Sequence, residues 1–304
     1  MIELKDVSKV YGRIQALDNV SMSIEKGGIT GFIGPNGAGK TTVMNIISGC
    51  IGMTSGSCMI DGIDITAGKE VRKKTGYLPE VPPLYGAFSV YEYLSCMFDI
   101  KGIKLDKKRH ILEIAEKTGI SEVLDRSCKN LSKGYKQRTG IAYAMIGYPD
   151  YIILDEPTSG LDPKQKHDML NFIKDIKKDC GILLSSHILS EINAVCDKII
   201  MIDKGKIVRT TQKTAEQSAL RYEYRIRGAA GGVMSVLKSC RGIISANRIG
   251  EDLYVIEMSE SGMENLFYTL AENRLLILSQ RPYKRNIEEI FLEAVDSGEK
   301  GKKT

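Results

Sequence analysis

Nine residues, Gly34-Pro35-Asn36-Gly37-Ala38-Gly39-Lys40-Thr41-Thr42, constrain this chain more than any other stretch. They satisfy G-x-x-x-x-G-K-[ST] at every fixed position. The apolar run Ile29–Ile33 before them reads as a strand, and Val43-Met44-Asn45-Ile46-Ile47 after them reads as a helix. A strand, a glycine-rich turn and a helix start, in that order, make a site for the phosphates of a nucleotide. The glycines let backbone N–H groups point inward without Cβ obstruction, and the positive end of the helix adds to that field. Lys40 would reach the β- and γ-phosphates as a point charge, and the Thr41 hydroxyl would ligand the accompanying Mg²⁺.

Strands and helices alternate around this turn, which implies a mostly parallel sheet covered by helices. Residues 1–33 alternate like strands at Ile2 and Leu4 and again at Val20, Met22 and Ile24. Asp61-Gly62, between two short apolar runs, marks a tight hairpin. Residues 69–80 read as a short basic segment ending at Glu80, after which Pro82 and Pro83 break any regular element. Over 89–147 the pattern is helical. Val90, Tyr93, Leu94 and Met97 share one face, Ile111, Leu112, Ile114 and Ala115 another, and Ser132 caps a third helix. His110 and His167 fall among charges on helix surfaces, without a role. Asp162-Pro163 opens an amphipathic helix between buried strands at 151–154 and 182–185. After a closing hairpin at 198–209 and a polar linker near 210–219, the remainder reads as a small α+β unit. Its expected order is βαββαβα, ending in a helix through Ile287, Ile290, Phe291 and Ala294. The expected division is therefore 1–215, with a helical subdomain at about 85–147, and 216–304.

Composition excludes several classes. A net charge of +5 over 304 residues is too mild to argue for nucleic acid. Seven scattered cysteines, none in a C-x-x-C arrangement, argue against disulfide or metal use and for a reducing cytoplasm. No apolar run approaches the roughly 18 residues of a spanning helix, and the first residues lack a signal-peptide pattern.

A second stretch, Tyr151-Ile152-Ile153-Leu154-Asp155-Glu156-Pro157, places two acids at the tip of a buried strand, where α/β sheets hold ligands. Alternation sends the two side chains different ways. Asp155 would complete the Mg²⁺ shell, and Glu156 would take a proton from an attacking water. Taken alone, the pair fits an acidic turn equally well. A third stretch, Leu131-Ser132-Lys133-Gly134-Tyr135-Lys136-Gln137-Arg138, shifts that balance, because it is a second helix start suited to an anion. One nucleotide does not need two such starts in one chain. The economical account is that one copy grips the phosphates while Ser132 and Gly134 of another copy close over them.

In this order the motifs resemble those of the ATP-binding subunit of an ABC transporter, across residues 1 to about 215. Tyr11 matches the aromatic position that stacks on adenine, although a plain loop aromatic is the other reading. Gly34 to Thr42 match the P-loop. Leu131 to Gln137 match the LSGGQ-type signature, with Lys133 in place of its first glycine. Asp155 and Glu156 match the Walker B acids, Ser159-Gly160-Leu161-Asp162 the D-loop, and His187 the switch histidine that contacts the γ-phosphate. The resemblance implies a P-loop NTPase core of mostly parallel sheet, with antiparallel N-terminal strands and an inserted helical subdomain. It also implies ATP and Mg²⁺ as ligands. Two ATPs would be sandwiched in a head-to-tail homodimer, or in a heterodimer with a second ATP-binding subunit. An integral membrane permease would be the partner, with the chain peripheral on the cytoplasmic face. The family usually carries glutamine where this chain has Glu80, an oxygen ligand that adds charge near the metal. Tyr77-Leu78-Pro79-Glu80 and the 286–291 segment resemble the exporter branch, which handles drugs, peptide antibiotics, ions or lipid-linked substrates. A soluble regulatory ATPase without a permease is the alternative. The 216–304 unit reads as a dimer brace or docking element, or as a regulatory ligand-binding domain.

Overall fold

A computed structural model of the chain describes residues 1–68, 71, 73–212, 220–228 and 230–283. The chain divides into two compact units, Met1–Lys213 and Thr214–Ile290.

In the first unit the apolar run before the glycine-rich turn is strand β3 (Ile29–Ile33), buried at every position. Burial on both faces is what a central parallel strand requires. Its neighbours are β8 (Gly181–Ser186) and β9 (Lys198–Asp203), both parallel to it. Beyond β8 lie β7 (Tyr151–Leu154) and β6 (Thr75–Leu78), also parallel. β10 (Lys206–Gln212) pairs antiparallel with β9, as the expected closing hairpin. The sheet order β10-β9-β3-β8-β7-β6 sends the C-terminal ends of β3, β8, β7 and β6 in one direction, so the turns after them converge. A second sheet is antiparallel: β1 (Ile2–Tyr11) lies between β2 (Ile14–Ile24) and β4 (Ser55–Ile60), and β5 (Ile63–Asp64) closes it at the Asp61-Gly62 turn. Helix α1 (Lys40–Ile47) buries Val43, Met44, Ile46 and Ile47 in one core with Leu4, Val20, Phe32, Ile153 and Ile200.

Three helices run between β6 and β7: α2 (Val90–Lys101), α3 (Lys107–Thr118) and α4 (Lys133–Met145). Ser89 and Glu92 form a capping box on α2, Asp106 caps α3, and glycines in the left-handed conformation, Gly102 and Gly119, end both. Three expectations are corrected here. Residues 75–78 form strand β6 rather than the end of a basic segment. Gly76 hides the signal: a Cβ there would lie 2.0 Å from the Ala144 carbonyl oxygen, so α4 packs directly on the strand backbone. On α3 the buried stripe is His110, Ile111, Ile114, Ala115 and Thr118, whereas Leu112 is exposed. His110 is thus not a surface residue. Its Nε2 accepts the Gly147 N–H at 3.0 Å. Burial lowers its pKa, which favours the neutral ring that such a bond needs. His167 does lie exposed, on α5 (Pro163–Ile176), which Asp162 caps and Pro163 opens as expected. Helix α6 (Leu189–Val195) follows β8.

The second unit orders β11 (Leu220–Arg227), α7 (Ala230–Ser239), β12 (Ile243–Arg248), β13 (Leu253–Met258), α8 (Glu260–Glu272) and β14 (Leu276–Pro282). Its antiparallel sheet, β12-β13-β11-β14, packs Tyr224, Ile226, Tyr254 and Ile256 against Val233, Leu237, Leu266 and Leu270. This follows the expected βαββαβ order. The final helix at 287–294, the 286–291 segment and most of the expected linker lie outside the described residues. No helix among the described residues is long and apolar enough to cross a membrane.

Candidate functional site

The turn after β3 can take its shape only with glycine at two places. A Cβ on Gly34 would lie 2.2 Å from the Ile202 carbonyl oxygen. Gly39, which caps α1 at φ 109°, would drive a Cβ to 2.7 Å from Leu17 Cδ2. Within the turn, the Ala38 N–H donates to the Pro35 carbonyl. Lys40 is buried, and its ammonium donates to the carbonyls of Gly34 at 2.7 Å and Pro35 at 3.2 Å. A cation is therefore held under the turn at the positive end of α1, which makes the spot strongly favourable for phosphate oxygens.

The two acids follow β7. Asp155 is 1% exposed. Its Oδ2 accepts from Thr41 Oγ1 at 2.9 Å and its Oδ1 from Ser185 Oγ at 2.6 Å. The same Ser185 oxygen accepts the Glu156 N–H at 2.8 Å. Glu156 itself sits at φ 49°, a left-handed backbone that a non-glycine residue rarely adopts. Its Oε2 lies 2.8 Å from Nδ1 of His187, whose half-exposed ring follows β8. Burial first, and the Asp155 charge second, push the Tyr77 phenol well above its ordinary value.

These groups line one open cavity of about 350 Å³. Pro35, Asn36, Gly37, Gly39, Lys40, Thr41 and Thr42 form one wall, and Glu80, Asp155, Glu156 and His187 face them. Gly34 and Ala38 shape the turn from outside that lining. Thr41, Asp155 and Glu80 offer oxygen donors alone, the chemistry of a hard cation that keeps other oxygens in its shell. No cluster of three His, Cys, Asp or Glu side chains suited to hold a metal occurs among the described residues. The few oxygen donors of Thr41, Asp155 and Glu80 suit a divalent ion that completes its shell with a ligand's own oxygens, as Mg²⁺ on a nucleotide would. Tyr11 also lies outside the lining, at the exposed end of β1, with the Lys9 ammonium 5.0 Å from its ring centroid.

Ser132 and Gly134 are not brought to this cavity. Ser132 Oγ accepts the Tyr135 N–H at 3.4 Å as the α4 cap. Both residues line a different cavity of about 420 Å³ with Gly119, Arg138 and Gln165. One chain thus presents a phosphate turn and a second anion-suited helix start at separate places.

Two residues at the site, Ala16 and Ser185, escaped the sequence reading, and Gln137, read there only as part of the signature, has a further contact. Ala16 lines the cavity without any chemical mark. Gln137, buried, donates Nε2 to the Glu80 carbonyl at 3.3 Å and so ties α4 to the loop carrying Glu80. Ser185 left a signal: it is a hydroxyl closing the otherwise apolar run of β8.

Comparison with known proteins adds to this geometry. Residues 17–159 match the family model described as ABC transporter. The chain is 38% identical over 209 residues to the lantibiotic transport ATP-binding protein SrtF of Streptococcus pyogenes, covering 68% of this chain and 89% of the relative. It is 37% identical over 211 residues to the bacitracin transport ATP-binding protein BcrA of Bacillus licheniformis, covering 68% of each. Among solved structures, the dimeric form of MJ0796, a bacterial ABC transporter cassette, matches with a TM-score of 0.65 and 26% identity, over 71% of this chain and 100% of that one.

Proposed function

This chain belongs to the ABC transporter family as an ATP-binding subunit, and from that premise we propose that it powers the export of an antibiotic-like substrate through a separately encoded permease. The relatives named for lantibiotic and bacitracin transport support that substrate class. ATP is its substrate, hydrolysed in the cavity between the phosphate turn and the Walker B acids. We assign Lys40 and the α1 N-terminus to the phosphates, Thr41 and Asp155 with Glu80 to Mg²⁺, and Tyr11 to the adenine. When bound, the ion would neutralise charge on the phosphate oxygens. Glu156 accepts the proton of the attacking water. His187, 2.8 Å from it, holds that carboxylate toward the cavity. The chain acts at the cytoplasmic face of the membrane, held there by the permease.

One observation carries the shared-site reading: the phosphate turn and the Ser132–Gly134 helix start line different cavities of one chain. A second copy turned head to tail would bring one against the other, as the dimeric cassette among the structural neighbours suggests. The test is a pair of substitutions. Glu156→Gln is expected to bind ATP, to lose roughly 10²–10⁴ in hydrolysis rate, and to accumulate as an ATP-bound dimer on size-exclusion chromatography. Lys40→Ala is expected to weaken nucleotide binding itself. Wild-type hydrolysis by Glu156→Gln would refute the assignment.

A further inference from the structure

The contact between Glu156 and His187 depends on the relative placement of two segments, 155–159 after β7 and 186–188 at the end of β8. Glu191, on α6, lies behind both. It is a buried carboxylate, 7% exposed. Its Oε2 accepts from Thr158 Oγ1 at 2.6 Å and from Ser186 Oγ at 3.0 Å. Its Oε1 pairs with the Lys166 ammonium at 3.1 Å. Thr158 stands two residues after Glu156, and Ser186 stands immediately before His187. Ser186 Oγ also accepts the Ile188 N–H at 3.0 Å, which fixes the backbone on the far side of the histidine. Lys166 belongs to the first turn of α5, where its own N–H donates to the Asp162 carbonyl at the end of the D-loop.

We propose that Glu191 is a positioning residue for ATP hydrolysis, a clasp that holds the proton acceptor and its histidine in register and ties both to the D-loop. The inference rests on the reading of Glu156 as general base. A buried carboxylate with three donors is well satisfied, so it stays where these hydroxyls put it. The loops meet at one other hydroxyl, Ser185, at the strand ends. Glu191 adds the outer point, and two points fix the angle between loops where one leaves a hinge. The Lys166 arm makes that angle depend on where the D-loop lies. A displacement of about 1 Å in such a constellation costs on the order of 10²-fold in rate without touching ligand contacts.

Full-length Thr158→Val, Thr158→Ser, Glu191→Gln and Glu156→Gln test this, with steady-state hydrolysis, equilibrium ATP binding and thermal melting measured on each. Thr158→Val conserves shape and removes only the hydroxyl. It is expected to lose on the order of 10- to 100-fold in kcat, with KM and ATP affinity nearly unchanged and the melting temperature lowered by only a few degrees. Thr158→Ser should restore most of the rate. Glu191→Gln, which sets an amide against Lys166, should fall in kcat in the same way. Rates within about twofold of wild type for both Thr158→Val and Glu191→Gln would overturn the clasp. So would a kcat loss that only follows a fall in ATP affinity or a larger fall in melting temperature. If Glu156→Gln alone retained the wild-type rate, the general-base reading beneath the clasp would be the part that failed.

Discussion

Ser185 joins the two strand-end acids through one oxygen: its hydroxyl donates to Asp155 Oδ1 and accepts the Glu156 N–H, with the side chain fully buried. Ser185→Ala would leave a buried carboxylate oxygen and a buried N–H without that partner, a loss of about 1–3 kcal/mol. It is expected to lower the melting temperature and to reduce kcat more than ATP affinity, since Lys40 and the turn are untouched; calorimetry and steady-state kinetics check both. At this scale the sequence was informative where chemistry restricts residue type at fixed spacing. Lys40, Thr41, Asp155 and Glu156 were readable for that reason, Glu80 and His187 only through the family resemblance, and all six line one cavity. The contacts of Ser185, Ala16 and Gln137 were not readable, because they come from neighbours distant in the chain. No local pattern says that a strand-end serine will face the acids of the next strand, or that a glutamine one turn into α4 will reach the Glu80 carbonyl.

Elements were legible where hydrophobic period and caps agree. Asp162-Pro163, Ser132 and the Asp61-Gly62 turn gave sound starts and reversals, and the alternation of the second unit gave its order. Helix α3 shows how period alone fails. Apolarity selects Leu112 over His110, but the Gly147 N–H behind the helix selects the histidine as its acceptor, and the stripe turns accordingly. Polar ties between elements matter likewise at Asp61, in the β4–β5 turn. It accepts from the Lys74 ammonium before β6 at 2.8 Å and from the Tyr151 hydroxyl of β7 at 2.7 Å, with the Met1 amine as a further partner. Burial alone would raise this carboxyl, yet those donors together hold it far below the ordinary range. A depressed folded-state pKa contributes stability that is present above the unfolded value, about 3.9, and lost as the pH falls below it. Asp61→Asn should therefore cost stability at pH 7, about 1–2 kcal/mol after allowance for screening of a carboxyl that is 21% exposed. That deficit should narrow as the pH drops through 4 to 3, as urea melts of the two proteins at each pH would report.

For the molecule as a whole, the consequence to test is that neither copy owns an active centre. Lys40→Ala damages the phosphate turn, and Gly134→Asp damages only the opposing helix start. A side chain at Gly134 meets nothing nearer than Gln165 Oε1 at 3.4 Å, so the fold should accept it, while its charge would repel phosphates presented by a partner. Each variant alone should be nearly inactive, because both of its centres contain the same defect. When the two are mixed and allowed to exchange, half the dimers are hybrid. In each hybrid one centre joins both defects and the other joins an intact turn to an intact signature. If centres act independently, the mixture should recover about a quarter of the wild-type rate per chain, as the two-fold arrangement requires. Phosphate release over a series of mixing ratios should peak at equal amounts and vanish at either end. A flat response would mean that the two motifs act within one chain. In that case the separate cavities around Lys40 and Gly134 would have nothing to do with a shared centre, and hydrolysis should persist unchanged in chains diluted until they no longer associate.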